Sequence, residues 1–351
     1  MVMPEAHVEG ATGFDVVVEA LSNARKLVVI THEHPDGDAL GSLVAMRMLL
    51  ESLGKDCMMF IGEDEFPLPY EYEFLPLDGH ITTAPDDIDE RTLVFLDCGN
   101  VERNPAAEVL LRPGAAIVNI DHHHDNTRFG TANHVDDRAS CTAEIVWAIA
   151  ARLGATITTP IAEALYVGLL TDTGCFNYED TTARTHMVAA DLIDRGVKPH
   201  RIYHRVFEDM PYERVALLAR GLSAIERYDD GRLTIAQITA EDFADTGAVE
   251  SYTEGVVDHL RSVRGTVVAA LVRDRVTADG MPVLSAEGAR MRKVSLRSAQ
   301  NDVDVSAIVR QLGGGGHRAA AGLTTALPWP ELVAFLREQI AEQLRAHGRS
   351  A

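Results

Sequence analysis

Three short apolar runs in the first 125 residues each lead into a side chain that can bind a metal ion. Residues 26–30 run into His32, 93–96 into Asp97, and 115–120 into Asp121, His122, His123 and His124. An uninterrupted apolar run of this length reads as a strand buried on both faces, and such strands belong to parallel sheets with helices on either side. In sheets of that kind ligands gather beyond the carboxyl ends of the strands, where these polar residues fall. An apolar helix is expected over 39–53, closed by Gly54, which makes the first run part of a strand, loop, helix unit. A further strand is expected over 57–61 and helices over 141–153 and 160–170. The alternation predicts an α/β fold with a mostly parallel sheet.

At 351 residues the chain exceeds what one hydrophobic core usually serves, so two domains are expected. The first is set at 1–195. A charged helical stretch with the breaker pairs Lys198-Pro199 and Met210-Pro211 reads as a linker over 196–228. A smaller α/β domain follows over 229–347, with strands over 232–238, 266–272 and 293–296 and a last helix over 329–347.

Acidic residues outnumber basic ones 53 to 32, a net charge of −21, which argues against a grip on long duplex nucleic acid or on an anionic membrane. A small anionic substrate needs only local positive charge, and metal ions supply it. Cys57, Cys98, Cys141 and Cys175 form no close pair, so neither a zinc knuckle nor a disulfide framework is expected. With no membrane-length apolar segment, and no signal-peptide core in residues 1–10, a cytoplasmic location is expected.

In the loop after the first strand, His32, Asp36 and Asp38 lie within seven residues, with Gly37 permitting a tight turn. Taken singly, Asp36 could open a turn and Asp38 could cap the helix from Ala39. Asp97, before Gly99, and Asp172, between Thr171 and Thr173, could each do no more than end an element in a turn. Together they read as ligands converging on one centre. Imidazole and carboxylate donors without thiolate suit two divalent cations, manganese first, with Mg²⁺, Co²⁺ or Fe²⁺ as alternatives. Two such ions about 4 Å apart polarise a phosphoryl group, so phosphate chemistry is expected.

These residues form an ordered set of motifs: His32, Pro35, Asp36, Gly37, Asp38; Asp97, Gly99; Asp121, His122, His123, Asn126, Phe129, Gly130; and Asp172, Thr173, Gly174. They resemble the four motifs of the DHH phosphoesterase superfamily. Gly314, Gly315, Gly316 and His317, followed by Ala320, Ala321 and Gly322, resemble the signature of the C-terminal DHH-associated domain. The layout is similar to the branch that degrades very short RNAs and dephosphorylates 3′-phosphoadenosine 5′-phosphate (PAP), some members of which cleave cyclic di-AMP.

The resemblance implies a catalytic domain and a substrate-binding domain flanking a cleft, and a homodimer. It places His32, Asp36 and Asp97 on one metal and Asp38, Asp97, His122 and Asp172 on the other, with Asp97 bridging. It puts His123 on the scissile phosphate as proton donor and Asp121 behind it as support. His34 and His124 receive no role. Ser295, Arg297, Ser298, the glycines 314–316 and His317 would grip substrate. Arg261 is a further candidate, though for it and Arg264 an exposed helix-end charge is an equal reading. Two alternatives stand beside this one. A family II pyrophosphatase would need a Ser-Arg-Lys-Lys-Gln segment that is not found here, and a nucleotide receptor that does not cut would be expected to have lost metal ligands, all six of which are present.

Overall fold

The computed structural model describes residues 11–101, 104–277, 279–299 and 303–346. Residues 1–10 and His347, the expected end of the last helix, lie outside the described residues. The chain forms two compact units that meet in sequence at Asp209 and Met210, inside the stretch read as a linker.

In the first unit the order is β1 Ala11–Thr12, α1 Phe14–Asn23, β2 Lys26–Ile30, α2 Gly37–Ser52, β3 Asp56–Phe60, β4 Thr92–Leu96, α3 Pro105–Leu110, β5 Ile117–Asp121, β6 Ala132–Val135, α4 Thr142–Leu153, α5 Thr159–Asp172, α6 Ala183–Asp194 and α7 Pro199–Tyr203. The six strands pair in the order β1-β6-β5-β4-β2-β3, every pair parallel. Both faces are covered, which is why the strands read as unbroken apolar runs. Leu27, Val29, Val94 and Leu96 pack into one core with α1, α2, α4 and α5, while Val28, Ile30, Leu93 and Phe95 pack into another with Ala106 and Leu110 of α3. Strand order reverses between β2 and β4, so their carboxyl ends flank the crevice where an open parallel sheet binds its ligands.

Two helices pack unusually closely beside that crevice. A Cβ on Gly41 of α2 would overlap the Ala164 carbonyl of α5, one on Gly37 would overlap the Thr171 side chain, and one on Gly168 of α5 would fall 2.6 Å from Oδ1 of Asp38. Bare backbone at these positions lets the start of α2 and the end of α5 approach, which carries Asp38 and Asp172 to the same place.

The second unit runs α8 Tyr212–Ser223, β7 Glu226–Tyr228, β8 Leu233–Ile238, α9 Ala240–Thr246, α10 Val256–Arg261, β9 Val268–Asp274, β10 Arg292–Ser298, α11 Val305–Arg310, β11 Gly315–Gly316, β12 Ala320–Thr325 and α12 Trp329–Ala346. Its sheet, ordered β11-β12-β10-β9-β8-β7, is mixed. Only β8 and β9 pair in parallel. Val294 and Leu296 of β10 enter the core shared with α11 and α12. By alternation Ser295 and Arg297 stand on the other face, where Ser295 pairs with Gly322 and Gly322 with Gly315. Among the described residues no helix is long and apolar enough to cross a membrane.

Candidate metal centre

Adjacent strands β5, β4 and β2 deliver the site. Asp97 follows β4 with a positive φ of 59°, a left-handed conformation that aspartate tolerates better than most residues. Its carboxylate is buried and its two oxygens face different ways. Oδ2 lies 3.4 Å from Nε2 of His32, while Oδ1 lies 3.6 Å from Nε2 of His122 and 3.5 Å from Nδ1 of His123. The hydroxyl of Thr142, at the start of α4, donates to Oδ1 at 3.1 Å.

Asp36 and Asp38 have separate structural attachments. Asp36, rather than Asp38, is the N-cap of α2, accepting from the amides of Asp38 and Ala39, and the helix begins at Gly37 instead of Ala39. Asp38 is fully buried and caps a different helix. Its oxygens accept from the backbone amides of Thr142 and Ala143 at 2.7 and 2.9 Å and from the Ser42 hydroxyl at 3.2 Å. Capping and clustering therefore coexist, because a carboxylate has more lone pairs than the caps consume.

Asp172 ends α5 with Oδ2 3.4 Å from Nε2 of His122. That oxygen is buried and has no hydrogen-bond donor. Among the described residues, possible ligand atoms fall within 4.8 Å of one another in three sets: His32 with Asp36 and Asp97, Asp38 with His122 and Asp172, and Asp97 with Asp121, His122 and His123. Asp121 stands behind. Its Oδ1 accepts from the amides of His122 and His123 and from Nδ1 of His123 at 2.8 Å, and its Oδ2 from Asn126 at 2.6 Å.

The remaining candidates are not members of these sets. His124 is exposed, and His34 is exposed with its amide donating to Glu65. Arg261 ends α10 paired with Asp258 at 3.4 Å. Ser298 is buried, His317 is exposed, and its backbone exchanges hydrogen bonds with Ala320 across the turn from β11 to β12. Sequence reasoning passed over Thr142 and the start of α4. A Ser-Cys-Thr stretch ahead of an apolar helix marks a helix start, but not which distant carboxylate fills it.

The electrostatics follow from crowding. Burial, then the Asp97 charge, pushes Asp38 above the usual carboxylate range, and the same causes raise Asp172 to about 8. Burial also opposes ionisation of Asp97, but His32, His123 and His122 outweigh it and hold Asp97 below that range. Burial opposes charge on His32, yet Asp97 lifts it to about 9. The Asp121 hydrogen bond lifts His123 to about 10. Packed carboxylates facing one another, an orphaned buried oxygen on Asp172 and an oxygen and nitrogen donor set all fit divalent cations.

These shifts predict how metal-free protein responds to pH. Asp172 ionises at about 3.9 when unfolded but at about 8 when folded, so its contribution is complete below about 4 and lost as pH climbs through 8. His32 and His123 contribute fully below about 6.5 and lose that contribution as pH rises through about 9 and 10. All three act in one direction, while the depressed Asp97 is already ionised in both states. The melting temperature of chelated protein therefore falls from pH 6 to pH 9. Cations bind the deprotonated ligands, so the gap between manganese-loaded and chelated protein widens over the same range. Parallel melting curves with and without manganese at four pH values check this; a constant gap contradicts it.

Comparison with known proteins agrees with the motifs. The DHH family N-terminal domain matches residues 26–169 and the DHHA1 domain matches 231–346. The bifunctional oligoribonuclease and PAP phosphatase NrnA of Thermus thermophilus is 32% identical over 325 residues, covering 92% of this chain and 91% of the relative. The crystal structure of an exopolyphosphatase-related protein from Bacteroides fragilis superposes with a TM-score of 0.82 at 23% identity, covering 94% and 95% of the two chains. RecJ of Thermus thermophilus, crystallised in complex with Mn²⁺, superposes with a TM-score of 0.52 at 15% identity over 95% of this chain and 55% of its own. At those identities the two structures speak for the fold alone. The chain belongs to the DHH family, with a DHH N-terminal domain followed by a DHHA1 domain.

Proposed function

We propose that the protein is a two-metal phosphoesterase that hydrolyses very short oligoribonucleotides to 5′-mononucleotides and converts PAP to AMP. The observation that carries the reading is the division of Asp97, one carboxylate oxygen toward His32 and the other toward His122. The name of the Thermus thermophilus relative supports the substrate class. Two divalent cations, manganese by preference, would be held by His32, Asp36 and Asp97 and by Asp38, Asp97, His122 and Asp172. They would supply Lewis-acid charge to the phosphoryl oxygens and lower the pKa of a water.

The chain's own groups do the rest. His123, whose Nδ1 is engaged by Asp121, offers Nε2 to the departing ribose oxygen and gives it a proton. Thr142 and the first amides of α4 fix the carboxylates of Asp97 and Asp38. In the second unit Ser295, Arg297 and the glycine turn with His317 grip a further phosphate, since an arginine fork suits one and glycines let it approach the backbone closely. Arg261, tied to Asp258, contributes less. The net charge of −21 opposes a long polyanion along the surface, so short substrates are preferred.

Manganese-supplemented turnover of a two-nucleotide RNA, a 24-nucleotide single strand, PAP, cyclic di-AMP and pyrophosphate tests the reading. The dinucleotide and PAP are turned over at least about tenfold faster, per unit concentration, than the long strand and pyrophosphate, a difference of about 1.4 kcal/mol. Equal rates on the short and long RNA would sink the short-substrate reading, and turnover of pyrophosphate alone would replace it.

A further inference from the structure

The chain turns sharply after Asp172, the last residue of α5. Gly174, Cys175 and Phe176 have φ of 54°, 59° and 65°, three left-handed residues in succession, two of them not glycine. A non-glycine residue is strained in that conformation, so the surroundings must impose the shape. Thr173 does so. Its hydroxyl donates to the Leu169 carbonyl and accepts from the Phe176 amide, and its carbonyl accepts from the amides of Asn177 and Tyr178 at 2.9 and 3.0 Å. Phe176 anchors the turn inward, stacked on His186 with ring centroids 5.2 Å apart and edge-on to Tyr166.

The result is to hold one aromatic ring outward. A Cβ on Gly174 would lie 2.5, 2.5 and 2.8 Å from Cε1, Cζ and Cε2 of Tyr178. Near-equal distances to three atoms of one ring place that point over its face, so the tyrosine lies flat on the Gly174 backbone. Its side chain is nevertheless half exposed, at 49% for the residue. Gly174, on which the ring rests, is two residues beyond Asp172, so the ring stands beside the end of α5. Residues 173–181 contain Glu179 and Asp180 and no lysine or arginine, so this rim suits the uncharged part of a ligand rather than its phosphate.

We infer that Tyr178 is a specificity-determining residue, a platform on which the nucleobase next to the metal-held phosphate stacks. The inference rests on the nucleotide reading given above and adds how the site distinguishes a nucleotide from a bare phosphate. A rigid ring with one face seated on backbone loses little entropy on stacking, and every base offers a π face, so the platform selects for a base without selecting which one.

Calorimetric binding of AMP and of ribose 5-phosphate to manganese-loaded protein, compared for wild type, Tyr178→Ala, Tyr178→Phe and Tyr178→Trp, tests it. Tyr178→Ala weakens AMP about 5- to 150-fold, the range that base stacking on an aromatic ring supports, and leaves ribose 5-phosphate within a factor of two. The Phe and Trp variants keep AMP affinity. An unchanged AMP affinity in Tyr178→Ala overturns the inference. So does an equal loss for both ligands, which would mark a purely structural ring, and so does wild-type protein that binds both ligands alike. Dinucleotide turnover is measured separately: its absence in wild type defeats the phosphoesterase reading, while the binding comparison still decides the role of Tyr178.

Discussion

Asp97→Asn lowers turnover of a dinucleotide by about 10³-fold or more without unfolding the protein. Asparagine is the informative substitution because it tolerates the left-handed φ of 59° nearly as well as aspartate, whereas alanine at that conformation adds backbone strain. The amide keeps one oxygen to accept from Thr142, so the start of α4 stays attached. What it loses is the second anionic oxygen, and with it the carboxylate that faces both His32 and His122. Asp36 and Asp38 each lie in one set, so their asparagine variants lower affinity mainly at one cation, while Asp97→Asn weakens both. Metal content by atomic absorption with a dinucleotide assay separates these cases. Wild-type turnover with two bound ions in Asp97→Asn would refute the bridging role.

The parts of the fold legible in the sequence were those in which burial is uniform. β2, β4 and β5 read as apolar runs because residues on both faces meet a core, and their ends located His32, Asp97 and Asp121. β1, with two residues, and β6, with the sequence Ala-Asn-His-Val, were not legible. They are short strands at one side of the sheet, and neither offers a periodic signal. Nor did spacing distinguish the two jobs of the loop acids. Asp36 caps its own helix as local rules allow, but the partner of Asp38 is a helix start 104 residues further on, which only the tertiary structure brings near. Gly41 and Gly168 were illegible for the same reason. Inside apolar helices they look like weak points, and their value appears only where α2 meets α5.

Asp121→Asn lowers kcat by about 10²-fold with little change in metal content, and does so through His123. The carboxylate is fully buried, and its Oδ1 receives the His122 amide, the His123 amide and Nδ1 of His123. That last hydrogen bond fixes a proton on Nδ1, orients the ring and raises the His123 pKa, which favours a proton on Nε2. An asparagine oxygen in the same place still accepts, but without charge. The histidine then titrates closer to its ordinary value, and the alkaline limb of the rate profile, where the proton donor is lost, moves down into the measurable range. His123→Ala removes the proton donor itself and costs about 10²- to 10⁴-fold. Because both changes act on one proton, they do not add: the double variant is no slower than about twofold below His123→Ala. A pH profile of kcat for the two single variants, with the double variant at one pH, decides the matter. Additive losses, or an Asp121→Asn profile identical in shape to wild type, would show that Asp121 supports the strand end and not the proton transfer.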